Sequence, residues 1–339
     1  MAIVNRFQSE LLLFRGSLPR SDDASLPNAP SADNIPLLFH PFTIKDLTIP
    51  NRIVVAPMCM YSSLDGFFTN FHLASIGSFA INGAGLIQEA SAVLPNGRIT
   101  PECAGLWDDA QVFKLKEVVD FVHVQGGKVS IQLAHAGRKY PESAFWPEDM
   151  SAPSGGAHLQ WDKHHRVPRE WSLVRSNRSL MPLRTDHYGG SLENRARFLL
   201  KVVKAMRANF PAEKPIFLRV SASDLVEEIA KWARDADVDV LHVSSGGNAS
   251  QQKILTSPGY QVPFAEQIKR AVPGLAVVAV GIILHGPLEE EVLKSEKADL
   301  VAAGRTCLRH PNFALNAARE LNVKAAFSQQ YSRGRTIHN

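Results

Sequence analysis

"RIVVAPMCMYSS", residues Arg52–Ser63, is the stretch on which the fold turns. An apolar, largely β-branched run ends in Pro57. Met58, Cys59, Met60 and Tyr61 follow it directly. A short, nearly continuous apolar run bounded by turn residues is the pattern of a parallel strand buried on both faces. The sulfurs and phenol after it are either core filler, a common use of Met and Cys, or the rim of a site.

Six further runs share this form: "GAGLIQEA" from Gly83, "KVSIQLAHAG" from Lys128, "PIFLRVSAS" from Pro215, "VDVLHVSSGG" from Val238, "LAVVAVG" from Leu275 and "ADLVAAGR" from Ala298. Between them, "DDAQVFKLKEVVDFVHVQ" and "ENRARFLLKVVKAMRANF" carry apolar residues three and four apart, the spacing of amphipathic helices. Repeated strand–helix units belong to a doubly wound sheet or a (β/α)8 barrel. Small or polar residues collect at the C-terminal ends of nearly all the runs: Cys59, Ala90, Gln132, His135, Arg219, Gly246, Gly281 and Arg305. A barrel aims every strand end at one mouth, whereas an open sheet has a single switch point. No G-x-G-x-x-G follows an early strand, so the dinucleotide-type sheet lacks its best signal. The pattern predicts an α/β fold of the TIM-barrel type.

Composition sets the outer bounds. The 339 residues include 37 basic and 33 acidic side chains, a formal charge of +4 without a long basic run. That balance gives no reason to expect nucleic acid or membrane as partner. Cys59, Cys103 and Cys307 are the only cysteines, odd in number and without paired spacing. They argue against a disulfide framework or a zinc site and for a reducing, cytoplasmic compartment. Residues 1–36, rich in Ser, Pro, Asp and Asn from Ser17 onward, read as a flexible extension, with one barrel domain over 37–339.

The strand ends suggest a ligand. Gly281 and Gly304–Arg305 follow the last two strands, where barrels often bind phosphate; turn glycines and a solvent arginine are the plainer alternative. Arg219 lies inside a strand, and a charge there meets a carboxylate or a ligand. Gln132 offers amide donors and an acceptor. Together with Cys59 they suit a flat heterocycle with a phosphate tail, namely FMN. Its reduction places negative charge near N1 and O2, where an arginine is stabilising.

The motifs that carry these residues resemble the old yellow enzyme family, in its bacterial, thermostable-like ene-reductase branch. The matching segments are "LFHPFTIKDLTIPNRIVVAPMCMYSS", "GLIQEASAVLPNGRITPECAGLWDD", "QLAHAGRK", "TDHYGGSLENRARFLL", "LRVSASD", "HVSSGG", "AVG", "GR" and "QQYSRG". They stand in the family's order over most of residues 37–335. The resemblance implies a flavoprotein (β/α)8 barrel that binds FMN and passes hydride from NAD(P)H to an activated alkene such as an α,β-unsaturated carbonyl. It implies that Pro57, Met58 and Cys59 touch the flavin, with Cys59 tuning its potential. Ala90 and Gln132 would lie at the ring, Arg219 over N1 and O2, and Gly281, Gly304 and Arg305 at the phosphate. Tyr61 would face a small-molecule substrate. Arg333 would reach the neighbouring site of a homo-oligomer.

One family feature is missing. The fourth strand bears H-A-A-H-G-Y, whose paired donors polarise the substrate carbonyl. Here the chain runs from "HAGRK" through "YPESAFWPEDMSAPSGGAHLQWDKHHRVPREW" and "SLVRSNRSLMPLRTDHYGG" with no such motif. His164 and His165 are adjacent, so they point apart in an extended chain and do not replace the pair. The expectation is therefore a barrel irregular or incomplete around strand 4, with activity impaired. A related isomerase or oxidase, or a flavin-binding relative without turnover, stands as the alternative. Against the family's pattern, "GLIQEA" raises the question of a strand one residue short, and a one-residue slip reverses which side chains face inward.

Overall fold

A computed structural model describes residues 35–135, 187–222, 226–245, 256–323 and 330–331. A small antiparallel hairpin comes first, β1 (Phe42–Ile44) and β2 (Leu47–Ile49), turning at Lys45 with φ 50°. Seven strands follow: β3 (Ile53–Met58), β4 (Leu86–Ala92), β5 (Lys128–Ala134), β6 (Phe217–Ser221), β7 (Val240–Ser244), β8 (Ala276–Val280) and β9 (Leu300–Ala303). They form one parallel sheet in the order β5-β4-β3-β9-β8-β7-β6. The connecting helices are α1 (Asn70–Ile81), α2 (Ala110–Val124), α3 (Leu192–Asn209), α4 (Val226–Asp235), α5 (Val262–Ala271), α6 (Gly286–Lys294), α7 (Arg305–Arg309) and α8 (Phe313–Glu320).

This order is that of a barrel cut open between β5 and β6. The first strand of the sheet pairs with the last, β3 with β9, as closure of a barrel requires. Among the described residues no strand lies between β5 and β6, the position from which the sequence lacks its fourth strand. Burial follows the same line. Every residue of central β4 is buried, whereas every residue of β5 keeps some exposure and Leu133 is 42% exposed.

The sheet is nonetheless strongly curled. Gln88 of β4 and His242 of β7 meet side chain to side chain, Oε1 to Nδ1 at 3.0 Å, although β3, β9 and β8 lie between their strands. A flat sheet would hold those strands about 19 Å apart, at about 4.8 Å per neighbour. The interior beneath them is apolar: Val54, Ala56, Leu86, Val240, Val278, Leu300 and Ala302 form one cluster, and Ile49 of the hairpin closes its end. Below the strands, Asp239 accepts from Arg207 at 2.7 Å and from the Ile216 N–H at 2.7 Å, and pairs with Lys45 at 2.9 Å. These bonds pin the hairpin to the strand starts. The larger core lies outside, between sheet and helices. Among the described residues no helix is long and apolar enough to cross a membrane.

The pairing of β3 with β4 is out of step by one residue. Between the pairs Val55↔Ile87 and Met58↔Glu89, β3 advances three residues while β4 advances two. The surplus is taken up as an irregularity in β3 at Ala56–Pro57, which also explains how a proline sits in a central strand. The slip is thus absorbed without turning the rest of β4 over: Gln88 still points into the barrel. Alternation then puts Glu89 and Ser91 on the helix-facing side with Ile87. Both are buried, and among the described residues Glu89 Oε1 and Ser91 Oγ have no hydrogen-bond partner. Burial pushes the Glu89 carboxyl up to about 8, outweighing a hydrogen bond from the Ala90 N–H.

A carboxyl held neutral by the fold binds its proton more tightly folded than unfolded. Its contribution is complete below its ordinary value of 4.5 and is lost as pH rises through about 8. By neutral pH the loss amounts to roughly 3 kcal/mol. Urea unfolding of the wild type should therefore show stability falling across that window, and Glu89→Gln should flatten the fall. Some slope will remain, because Glu289, fully buried and also shifted upward by burial and by Glu320, titrates in the same sense. Equal slopes in the two proteins would mean that Glu89 ionises freely.

Candidate active site

The strand ends on the C-terminal side carry the residues singled out from sequence. Pro57 and Met58 end β3, half-buried, and Cys59 follows directly. Tyr61 takes a left-handed backbone, φ 49°, uncommon for a side chain other than glycine and typical of residues held in place by their surroundings. Here that restraint is explicit. The Thr69 hydroxyl donates to the Ser62 carbonyl at 2.9 Å, and the Ser63 N–H donates to the Glu102 carbonyl at 2.9 Å. His72, fully buried at the start of α1, accepts the Thr69 N–H at 3.1 Å through Nδ1. Burial lowers its pKa to about 4, so it stays a neutral acceptor at physiological pH.

Ala90 of β4 and Gln132 of β5 are register partners in a parallel pair, so they lie side by side on one face. A small residue next to an amide leaves space in front of the amide. Gly304 directly follows β9, and a Cβ built there would sit 3.7 Å from Met58 Sδ. The ends of β3 and β9 therefore meet at Met58 and Gly304. Arg305 opens α7 and is exposed. Gly281 follows β8 with φ 128°, and a side chain there would press on Gln261 at 2.9 Å, so only glycine fits. Ile282 next to it also has positive φ, 51°, an outlier for a β-branched residue. Strain of that kind collects at ligand-holding loops.

Arg219 alternates with Phe217, which packs on the barrel interior, so it faces inward as well. It pairs in register with His242. Complete burial and the Arg219 charge hold His242 well below its ordinary pKa, so the imidazole is neutral. The positive charge at this point is that of the guanidinium. His242 Nε2 is buried without a hydrogen-bond partner among the described residues, while Nδ1 is engaged by Gln88. With Nδ1–H donating to Gln88 Oε1, the neutral ring leaves Nε2 an acceptor; beside an inward-facing arginine it fits a group offering both N–H and C=O, such as the pyrimidine edge of the flavin that the resemblance implies. Space before Gln132 and the glycine turns after β8 and β9 fit the rest of FMN.

Two features of the site are not evident from the sequence motifs. Cys103, in the turn after β4, is buried, and its sulfur accepts the Thr100 N–H at 3.3 Å. The Cys59 thiol, ahead of the Thr100 and Ile99 backbone, holds the Cys103 thiol down at about 6. The Gln88–His242 pair is the other; polar residues at inward positions of two apolar strands were the available clue. Gly246, His164, His165 and Arg333 lie outside the described residues. Among the described residues no group of three His, Cys, Asp or Glu could hold a metal ion.

Comparison with known proteins gives a consistent answer. Residues 37–172 and 177–324 match the family described as NADH:flavin oxidoreductase / NADH oxidase. The break in that match falls where the fourth strand is missing from the sequence. NADPH dehydrogenase of Bacillus subtilis (strain 168) is 40% identical over 344 residues, covering 88% of this chain and 98% of its own length. NADPH dehydrogenase of Bacillus pumilus (strain SAFR-032) is 40% identical over 343 residues, with 87% and 98% covered. Each alignment holds more positions than that share of a 339-residue chain can fill, so gaps fall on this chain's side. Among solved structures, a morphinone reductase variant complexed with tetrahydroNAD superposes with a TM-score of 0.64 at 24% identity, covering 88% of this chain and 94% of that one. A 2-naphthoyl-CoA reductase complex gives a TM-score of 0.69 at 19% identity, covering 84% of this chain and 52% of that one.

Proposed function

Because the chain belongs to the NADH:flavin oxidoreductase / NADH oxidase family, whose cofactor is FMN and whose reductant is NAD(P)H, we propose that it is an oxidoreductase delivering hydride to an activated alkene, slowly for simple enones. Bound FMN supplies the hydride relay between nicotinamide and acceptor. The residues of this chain hold and bias it. In this reading Arg219 meets the N1/O2 edge, and because His242 is neutral the guanidinium alone offsets the negative charge that develops there. Ala90 and Gln132 seat the ring, and Pro57, Met58 and Cys59 line its redox edge. Gly281, Gly304 and Arg305 take the phosphate, with the exposed guanidinium free to form paired charge-assisted hydrogen bonds. Tyr61 presents a hydroxyl to the substrate.

The observation that carries the slow-turnover part is the absence of H-A-A-H-G-Y anywhere in the sequence. Paired donors on a substrate carbonyl stabilise the enolate formed as hydride arrives. Loss of one oxyanion donor commonly lowers the rate about a hundred- to a thousandfold. Tyr61 can supply one hydrogen bond, not two. The same absence, with the open β5 and β6 edges among the described residues, favours as second reading a relative with isomerase or oxidase chemistry, or one that binds flavin without turnover. Stopped-flow separation of the two half-reactions tests the proposal. Bleaching of the bound flavin by NADPH should outpace its recovery with cyclohexenone. Brisk recovery would show that another residue replaces the pair and would overturn the slow-turnover assignment.

We further place the protein in the cytoplasm, a placement supported by three cysteines that are all free thiols. We also propose a symmetric homo-oligomer in which Arg333 completes a neighbouring site, the motif "QQYSRG" being its support. Sedimentation at micromolar concentration should show a dimer or larger closed assembly. Monomer alone would leave Arg333 a tail residue.

A further inference from the structure

Tyr61 is half-buried, and its left-handed backbone, φ 49°, persists only where the surroundings impose it. The carbonyls before and after it are both held. The Ser62 hydroxyl reaches back across Tyr61 to donate to the Met60 carbonyl at 2.9 Å, and the Thr69 hydroxyl donates to the Ser62 carbonyl at 2.9 Å. The next links converge on His72, in the first turn of α1. The backbone fixes the tautomer of this ring. The Thr69 N–H can only donate, and it meets Nδ1 at 3.1 Å, so Nδ1 is the bare nitrogen. The neutral ring then carries its proton on Nε2, which donates to the Ser63 hydroxyl at 3.4 Å, a long contact. The Thr69 hydroxyl lies 3.2 Å from the same Nδ1, but its proton is committed to Ser62. The buried Phe68 ring meets the imidazole edge-on, centroids 4.7 Å apart, and holds its plane. Thr69-x-x-His72 is thus a capping box with an imidazole where Glu or Gln is usual. Capping needs only the acceptor. The Nε2 contact, made to the second residue after Tyr61, does not serve the helix.

We propose that His72 is a positioning residue for the reaction: through Thr69 and Ser63 it fixes the turn at Tyr61, and so the direction in which the phenol hydroxyl is presented. His72 is fully buried and acts through those two residues rather than on the substrate. Thr69 carries the coupling from both of its polar groups, the N–H on the imidazole and the hydroxyl on the Ser62 carbonyl, so an imidazole out of place releases the loop at two points. Support of the turn stands on these hydrogen bonds alone. Its effect on turnover rests on the role toward the substrate proposed above for Tyr61.

The test follows Tyr61 directly and needs no turnover. Full-length protein is labelled with 3-fluorotyrosine and FMN is added; of the five tyrosines, the fluorine signal of Tyr61 is the one missing from Tyr61→Phe. His72→Leu keeps much of the bulk and removes both nitrogens, and it should shift and broaden that signal while leaving the others in place. Thr69→Val should do the same, and it decides the matter if His72→Leu does not fold. His72→Gln offers an acceptor to Thr69 and a donor to Ser63, so it should restore the wild-type signal, a rescue that loss of ring packing alone would not permit. An unmoved Tyr61 signal in folded His72→Leu or Thr69→Val, or a Gln variant that behaves like Leu, would overturn the proposal. In reoxidation of the reduced flavin by an alkene acceptor, His72→Leu should cost up to about a hundredfold, since an ångström of misplacement can cost that much. The same change should cost nothing further in a Tyr61→Phe background, and losses that multiply would overturn the proposal. A moved signal together with full activity of Tyr61→Phe would keep His72 as the support of the turn and remove Tyr61 from the substrate instead.

Discussion

The hydrogen bond between Gln88 and His242 is the constraint on which the architecture depends. It joins strands separated by three others and exists only if the sheet curls. Uncurled, a buried amide and a buried imidazole would each lack a partner, at about 1–3 kcal/mol apiece, whereas the made bond is worth only about 0.5–1.5 kcal/mol net. The asymmetry matters more than the gain: the pair penalises flat arrangements more than it stabilises the native one. It also fixes the electrostatics of the interior. A neutral His242 leaves Arg219 as the positive charge facing inward between β6 and β7.

A second constraint comes from the opening that the described residues leave between β5 and β6. Parallel strands joined by helices on one side keep their C-terminal ends at one rim, so a missing strand leaves the rim in place and costs its continuity. The two edges carry backbone groups that a closed barrel would pair. On the far side of the sheet β3 still pairs with β9, and the ends that carry Met58, Cys59 and Gly304 meet there. The gap falls on the side where the paired substrate donors are missing from the sequence. Gln132 on β5 and Arg219 on β6 flank the opening, whereas Pro57, Met58, Cys59, Gly281, Gly304 and Arg305 lie on strand ends away from it.

Much of this was legible in the residues themselves. Each apolar run became a strand of the parallel sheet, because runs buried on both faces leave little choice of structure. The motif order pointed to the missing strand, and the family match breaks at the same place. The sequence raised the question of a one-residue slip in "GLIQEA" too, but not its outcome. Whether a one-residue deletion inverts a strand or is absorbed by its neighbour depends on relative packing, and Pro57, unable to donate to the ladder, made β3 the place to absorb it. Glu89 was left as a buried acid by that adjustment. Cys103 was illegible for a different reason: its environment is set by Cys59 and Thr100 across a tertiary contact, which no spacing in the sequence encodes.

The central claim is that seven curled strands suffice to hold the flavin. Titrating FMN with the purified protein, and following the quenching of flavin fluorescence, tests it directly. The account predicts saturable binding of one FMN per chain, weakened by Arg305→Ala more than by Cys59→Ala, since a charge-assisted contact is worth roughly 1.5–3 kcal/mol. A protein that unfolds cooperatively, and so is folded, yet leaves added FMN fully fluorescent would contradict it.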